Sequence, residues 1–104
     1  MPTPPKMSDE QRRAALVRAS EVRKARAEVK QLLKSGSVSF GELLERAESN
    51  GDLGGMKVSA VLAALPGIGK VKAGQIMERL NIAENRRVRG LGDRQRAALT
   101  EELS

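Results

Sequence analysis

Leu65-Pro66-Gly67-Ile68-Gly69-Lys70-Val71-Lys72-Ala73 sets two glycines around one apolar residue, between two segments of helical periodicity. Pro66 ends the first of these segments, since it has no N–H to continue a helix. Glycine supplies the dihedrals of a tight turn and lets another backbone approach closely. Ile68 is then placed to plug the core, and the amides around Gly69 face outward at the start of the following helix. Unpaired N–H groups at a helix start attract anions, and Lys70 and Lys72 add charge there. The run therefore predicts a cradle for a phosphate, with Lys72, Gln75 and Arg79 continuing along one face. It is not a P-loop: no glycine stands five residues before Gly69-Lys70, and Val71 takes the place of Ser or Thr. A dinucleotide fingerprint fails too, because its third glycine falls on Lys72.

Outward from the turn, every periodic segment is helical. Upstream, Lys57 to Leu65 places Val58, Val61, Leu62 and Leu65 on one face; downstream, Lys70 to Leu80 does the same with Ala73, Ile76, Met77 and Leu80. A helix over about 40–49 is signalled by Ser39 with Glu42 three residues on, and Phe40, Leu43, Leu44 and Ala47 are its inward positions; Asn50-Gly51 stops it. Ser8 with Gln11 opens a long first helix, uninterrupted by Gly or Pro until Gly36. Its apolar stripe is Ala15, Ala19, Val22, Ala25, Val29, Leu32 and Leu33, flanked by Arg12, Arg23, Arg26, Lys30 and Lys34. The stripe is alanine-rich toward its start, so the N-terminal half is expected to project and to be the more mobile. An arginine-rich loop, Glu84 to Gly92, leads to a last helix from Asp93 to Leu103, with Asp93 as N-cap and Ala97, Leu99 and Leu103 apolar. No alternating strand pattern or repeat is present. The fold class is all-α: residues 1–7 form a disordered arm and 8–104 one helical domain, in which 8–34 is a long basic helix and 56–104 carries the turn and the arginine loop.

Charge divides the chain. Its 104 residues hold 19 Lys plus Arg against 13 Asp plus Glu, a formal net charge of +6. Residues 1–34 have nine cations against four anions, and 56–104 have nine against five, whereas 35–55 have Arg46 alone against Glu42, Glu45, Glu48 and Asp52. Two basic parts and one acidic part suit a polyanionic partner approached from the basic side. Cys, His, Trp and Tyr are absent, and Phe40 is the single aromatic residue. These absences exclude disulfides, a thiolate nucleophile, a His-based triad and a His/Cys zinc site, and no metal or cofactor is expected. With no long apolar run and no signal-like leader, the expectation is a cytoplasmic protein that does not engage a membrane.

The Leu-Pro-Gly-Ile-Gly run with Ala73 and Ile76 resembles the phosphate-gripping turn of helix-hairpin-helix and helix-two-turn-helix modules. Three further stretches narrow the likeness: Gly55-Met56-Lys57-Val58-Ser59-Ala60-Val61-Leu62, Gln75-Ile76-Met77-Glu78-Arg79-Leu80, and Arg86-Arg87-Val88-Arg89-Gly90-Leu91-Gly92-Asp93-Arg94-Gln95. With the long Arg/Ala-rich first helix, they make nearly the whole chain similar to the actinobacterial integration host factor family. That resemblance implies a nucleoid-associated protein, monomeric, which binds double-stranded DNA with little sequence preference, bends or compacts it, and assists phage integration, alongside an integrase on the DNA. The residues expected to touch DNA are Lys57, Gly67, Ile68, Gly69, Lys70, Lys72, Arg86, Arg87, Arg89 and Gly90. Arg12, Arg23, Arg26, Lys30, Lys34, Ser59 and Arg94 form an outer set. Two alternatives share the turn. Structured RNA is bound by a ribosomal protein of this type, but stacking platforms for single strands are missing here. Repair lyases and glycosylases carry a reactive lysine where Val71 stands, and their downstream aspartate falls near Arg89, so no catalytic residue is assigned.

Overall fold

The computed structural model describes residues 8–103; the expected N-terminal arm, 1–7, lies outside them. Six α-helices follow one another: α1 Asp9–Lys34, α2 Phe40–Ser49, α3 Gly51–Gly54, α4 Val58–Ala64, α5 Gly69–Arg79 and α6 Asp93–Glu102, with a single 3-10 turn at Val88–Gly90. Among the described residues there is no strand, only one antiparallel bridge between Lys57 and Arg87. The all-α class is what forms.

Local chemistry sets the helix starts. Ser8 Oγ accepts from the Gln11 N–H at 3.1 Å, and Gln11 Oε1 accepts from the Ser8 N–H at 2.9 Å, a complete capping box for α1. Ser39 Oγ accepts from the Glu42 N–H at 3.1 Å and starts α2. Asn50 does more than stop α2, because its Oδ1 accepts from the Asp52 N–H at 3.0 Å and so caps the four-residue α3. At α6 the N-cap is Gly92 rather than Asp93: Gln95 Oε1 accepts from the Gly92 N–H, and Asp93 becomes the first helical residue, its charge facing the positive end of the helix dipole.

One core holds the helices together. Leu33, Leu43, Leu62, Leu99, Val58, Val61 and Val88 are its most deeply buried members, joined by Phe40, Ala73, Ile76 and Met77. Helix α3 and the loops supply the rest: Leu53 on α3 and Val38, Met56, Ile82 and Leu91 between helices are all buried. Of the apolar residues of α6, Ala97 is exposed and Leu99 takes the central place.

In α1 only the C-terminal half joins the core. Val29 and Leu33 are buried, Val22 and Ala25 are half-buried, and residues 9–21 are exposed throughout. Leu32 points away from the core at 37% exposure, and Ala15 and Ala19 cover nothing. Projection of this half gives the molecule extents of 54 × 32 × 25 Å and a radius of gyration of 16.5 Å, against about 13 Å for a compact domain of this length. The projecting half of α1 is pinned on one side. Arg18 reaches Asp52 of α3 and also pairs with Glu21, and the hydrogen bond to Asp52 raises the Arg18 pKa above its ordinary value.

Candidate nucleic-acid interface

The Pro66–Gly69 turn takes the geometry its glycines permit. Gly67 has φ +76° and Gly69 φ +69°, both in the left-handed region, and nothing lies within 4 Å of where a Cβ would stand at either position. Both glycines are therefore fixed by backbone conformation, and the space before them is open. Ile68 is half-buried against the core, as a plug should be. Its N–H is taken up inside the turn, donating to the Leu65 carbonyl at 3.2 Å. The open amides are those of the first turn of α5, at Gly69 and Lys70, which the helix itself leaves without acceptors.

The start of α5 stands out from most of its neighbours. Helices α1, α2 and α3 each receive a side-chain cap, and α1, α2, α3 and α6 each carry an acid in the first turn. Helices α4 and α5 have neither: their N-caps are Lys57 and Ile68, no side chain closes them, and no Asp or Glu occupies the first turn. A helix dipole with uncapped N–H groups and adjacent lysines is an anion receptor.

The arginine loop is stitched to the start of α4. The Val58 N–H donates to the Arg86 carbonyl and the Val88 N–H to the Met56 carbonyl, both at 2.9 Å, which sets Lys57 beside Arg87. Arg87 Nη1 then donates to the Gly55 carbonyl at 2.6 Å, and Arg26 Nε on α1 donates to the Asp52 carbonyl at 2.8 Å. Both arginines converge on Gly54-Gly55, where a Cβ on Gly55 would lie 2.6 Å from Arg26 Nη2. This glycine pair is a determinant of the site that charge patterning does not reveal; its signal is the need for close backbone approach.

Four adjoining depressions collect most of the predicted cations. Lys34 borders the Gly67–Gly69 turn. Lys57, Ser59 and Lys70 line a groove between α4 and α5. Arg26, Lys30, Lys57 and Arg87 surround a cleft of about 210 Å³ between α1 and α4, and Arg86, Arg87, Arg89 and Gly90 line the last one. Lys57 belongs to the groove and the cleft, and Arg87 to the cleft and the loop depression, which links these three; Glu78 and Glu84 also line the groove, so its charge is mixed. Arg86 is used mainly inward: Nη1 donates to the Gly90 carbonyl at 3.1 Å, and Nε is buried with no partner. Lys72 stands exposed on α5, while Arg12 and Arg23 on α1 and Arg94 on α6 lie outside these depressions. Arg18, Arg79 and Arg96 pair with carboxylates, namely Glu21 and Asp52, Glu102, and Glu48. Arg18 and Arg96 are not among the cations predicted for the site, whereas Arg79, expected on the face that continues from the cradle, is engaged by Glu102. Among the described residues no cluster of His, Cys, Asp or Glu is arranged to hold a metal, and no helix is long and apolar enough to cross a membrane.

A helical pair around a turn of two left-handed glycines, buttressed by a basic helix and loop, defines a helix-two-turn-helix protein, and the model of the "S13-like H2TH domain" family matches residues 33–103. The chain belongs to the integration host factor family. It is 57% identical over 99 residues to the integration host factor of Mycobacterium tuberculosis, covering 95% of this chain and 94% of that protein. Identity is 56% to the integration host factor of Mycolicibacterium smegmatis and 53% to that of Streptomyces coelicolor, again over 95% of this chain and over 94% and 92% of theirs. A solved structure described as "Structure of sIHF bound to an 8bp palindromic DNA" superposes with a TM-score of 0.82 at 52% identity, covering 84% of this chain and 98% of that one. The expected family resemblance is thus borne out, and with it the non-enzymatic character of the chain.

Proposed function

We propose that this chain is a nucleoid-associated protein that binds double-stranded DNA through its phosphates. The observation that carries the reading is the start of α5, uncapped and free of acids, set behind two left-handed glycines, with Lys70 lining the same groove as Lys57. Phosphate contacts of this kind position a protein without reading sequence, so weak base preference follows. The relative with a solved complex is described as bound to DNA, and its fold is shared over nearly its whole length. The cradle, the arginine loop and the basic flank of α1 lie on separate elements, and a monomer engaging backbone with more than one of them would bend or compact the duplex. Assistance to phage integration, with an integrase acting on the bent DNA, and residence at the nucleoid in the cytoplasm complete the proposal.

A titration of purified protein against a random-sequence duplex across salt concentrations tests it, with structured RNA as competitor. Neutralising about six to eight phosphates predicts that log affinity falls with log salt at a slope of about −5 to −7. A slope near −1, or displacement by the RNA at low concentration, would count against duplex binding.

Arg87→Glu in the same assay is expected to weaken binding about tenfold or more, since a charge-assisted hydrogen bond is lost and a carboxylate enters the cleft beside Lys57. Arg94→Glu, remote from the depressions, should change affinity by less than about threefold, the scale of an exposed and screened charge. Equal losses in the two variants would show that net charge alone governs binding.

A further inference from the structure

Val71 is 76% exposed, the most exposed of the large apolar residues in the described chain. Its position makes that exposure unusual. It lies in the first turn of α5, next to the open amides of Gly69 and Lys70, and is flanked in sequence by two exposed lysines. At 100° per residue, Val71 falls roughly opposite the buried Ala73, Ile76 and Met77, with Lys70 and Lys72 turned to either side of it. Neither the core nor helix propensity asks for a β-branched apolar residue there.

A nucleic-acid strand laid across this helix start alternates phosphate, sugar, phosphate. The helix alternates cation, apolar, cation. We propose that Val71 seats against a deoxyribose between two phosphates engaged by the cradle and its lysines, and thereby selects DNA over RNA. The inference rests on the duplex-binding reading and deepens it. Deoxyribose offers the valine methyls a C–H surface at the 2′ position, where ribose offers a hydroxyl. Pressed against two methyl groups, that hydroxyl loses water and finds no partner, and an unsatisfied buried polar group is penalised. Phosphate contacts distinguish the two polymers only through the shape of the duplex, and an apolar contact at the sugar adds a chemical discrimination at the 2′ position.

Val71→Thr replaces one methyl by a hydroxyl at nearly constant shape and, at an exposed site, leaves the fold intact, which a thermal melt verifies. Affinities of the parent and variant chains are to be measured by fluorescence anisotropy for a DNA duplex and an RNA duplex of identical sequence. The A-form and B-form groove geometries differ equally for both proteins, so the change in the DNA-to-RNA ratio on substitution isolates the sugar contact. The ratio is expected to fall about tenfold, chiefly through gained RNA affinity. An unchanged ratio with DNA binding intact overturns the role of Val71 and leaves duplex binding standing. Failure of the parent chain to bind the DNA duplex overturns both.

Discussion

Gly69→Asp is expected to lower affinity for a random-sequence DNA duplex by more than about 100-fold, because like-charge juxtaposition at an anion site costs several kcal/mol. Two effects separate cleanly at this residue. Its φ of +69° strains any L side chain, by about 1–2 kcal/mol, whereas the space around it is open, so there is no steric clash. Gly69→Ala carries the strain without the charge and should bind only a few-fold more weakly than the parent. Anisotropy titrations of the two variants, with circular dichroism to establish that both remain helical, decide the matter. Equal affinities for Asp and Ala would mean that no phosphate approaches the start of α5.

The largest effect on stability is expected at Leu62. It is fully buried at the centre of α4, the helix that packs most extensively on α5 and also meets α1. Leu62→Ala removes several methyl and methylene groups and leaves a cavity, destabilising by about 3 kcal/mol, and a domain of this size should then melt roughly 12–24 °C lower. Chemical denaturation at constant slope checks the value. Loss below about 1 kcal/mol would mean that the core collapses around the gap.

Much of this fold is legible because its signals are local. Ser8 with Gln11 and Ser39 with Glu42 announce helix starts, and the structure uses each of those side chains as a cap. The Leu65–Ala73 run marks a turn whose two glycines both require positive φ. What is not legible depends on distant partners. Helix α3 has four residues with glycine at both ends, too short for any period to show. Met56, Ile82, Val88 and Leu91 are single apolar residues outside the α-helices, and all are buried; Met56 and Val88 are joined by a backbone hydrogen bond where the arginine loop folds back on the start of α4.

The candidate site divides in the same way. Charge segregation identifies a basic flank and a basic loop, but it cannot say which cations are turned inward. Arg26 and Arg86 look like their neighbours in sequence; in the structure one braces α1 on the Asp52 carbonyl and the other folds over Gly90. Ala15, Ala19 and Leu32 share a period with Val29 and Leu33, yet are exposed, since the body of the protein extends under only half of α1. Periodicity reports which face of a helix is apolar, and the length of the surface beneath it is a tertiary property.

The bare beginning of α5 implies a compromise between durability and grip. A Ser or Asp at position 68 is the ordinary way to finish a helix, and such a residue typically steadies a protein by about 1 kcal/mol. Here Ile68 occupies that place, and the helix is left unfinished in the free molecule. On the proposed function, a phosphate of the bound strand supplies the missing acceptor, and the folded state is then consolidated most where it is in use. Engineering this chain for heat resistance by completing its helices would therefore wear away its hold on the polymer, because the stabilising group and the phosphate compete for one seat.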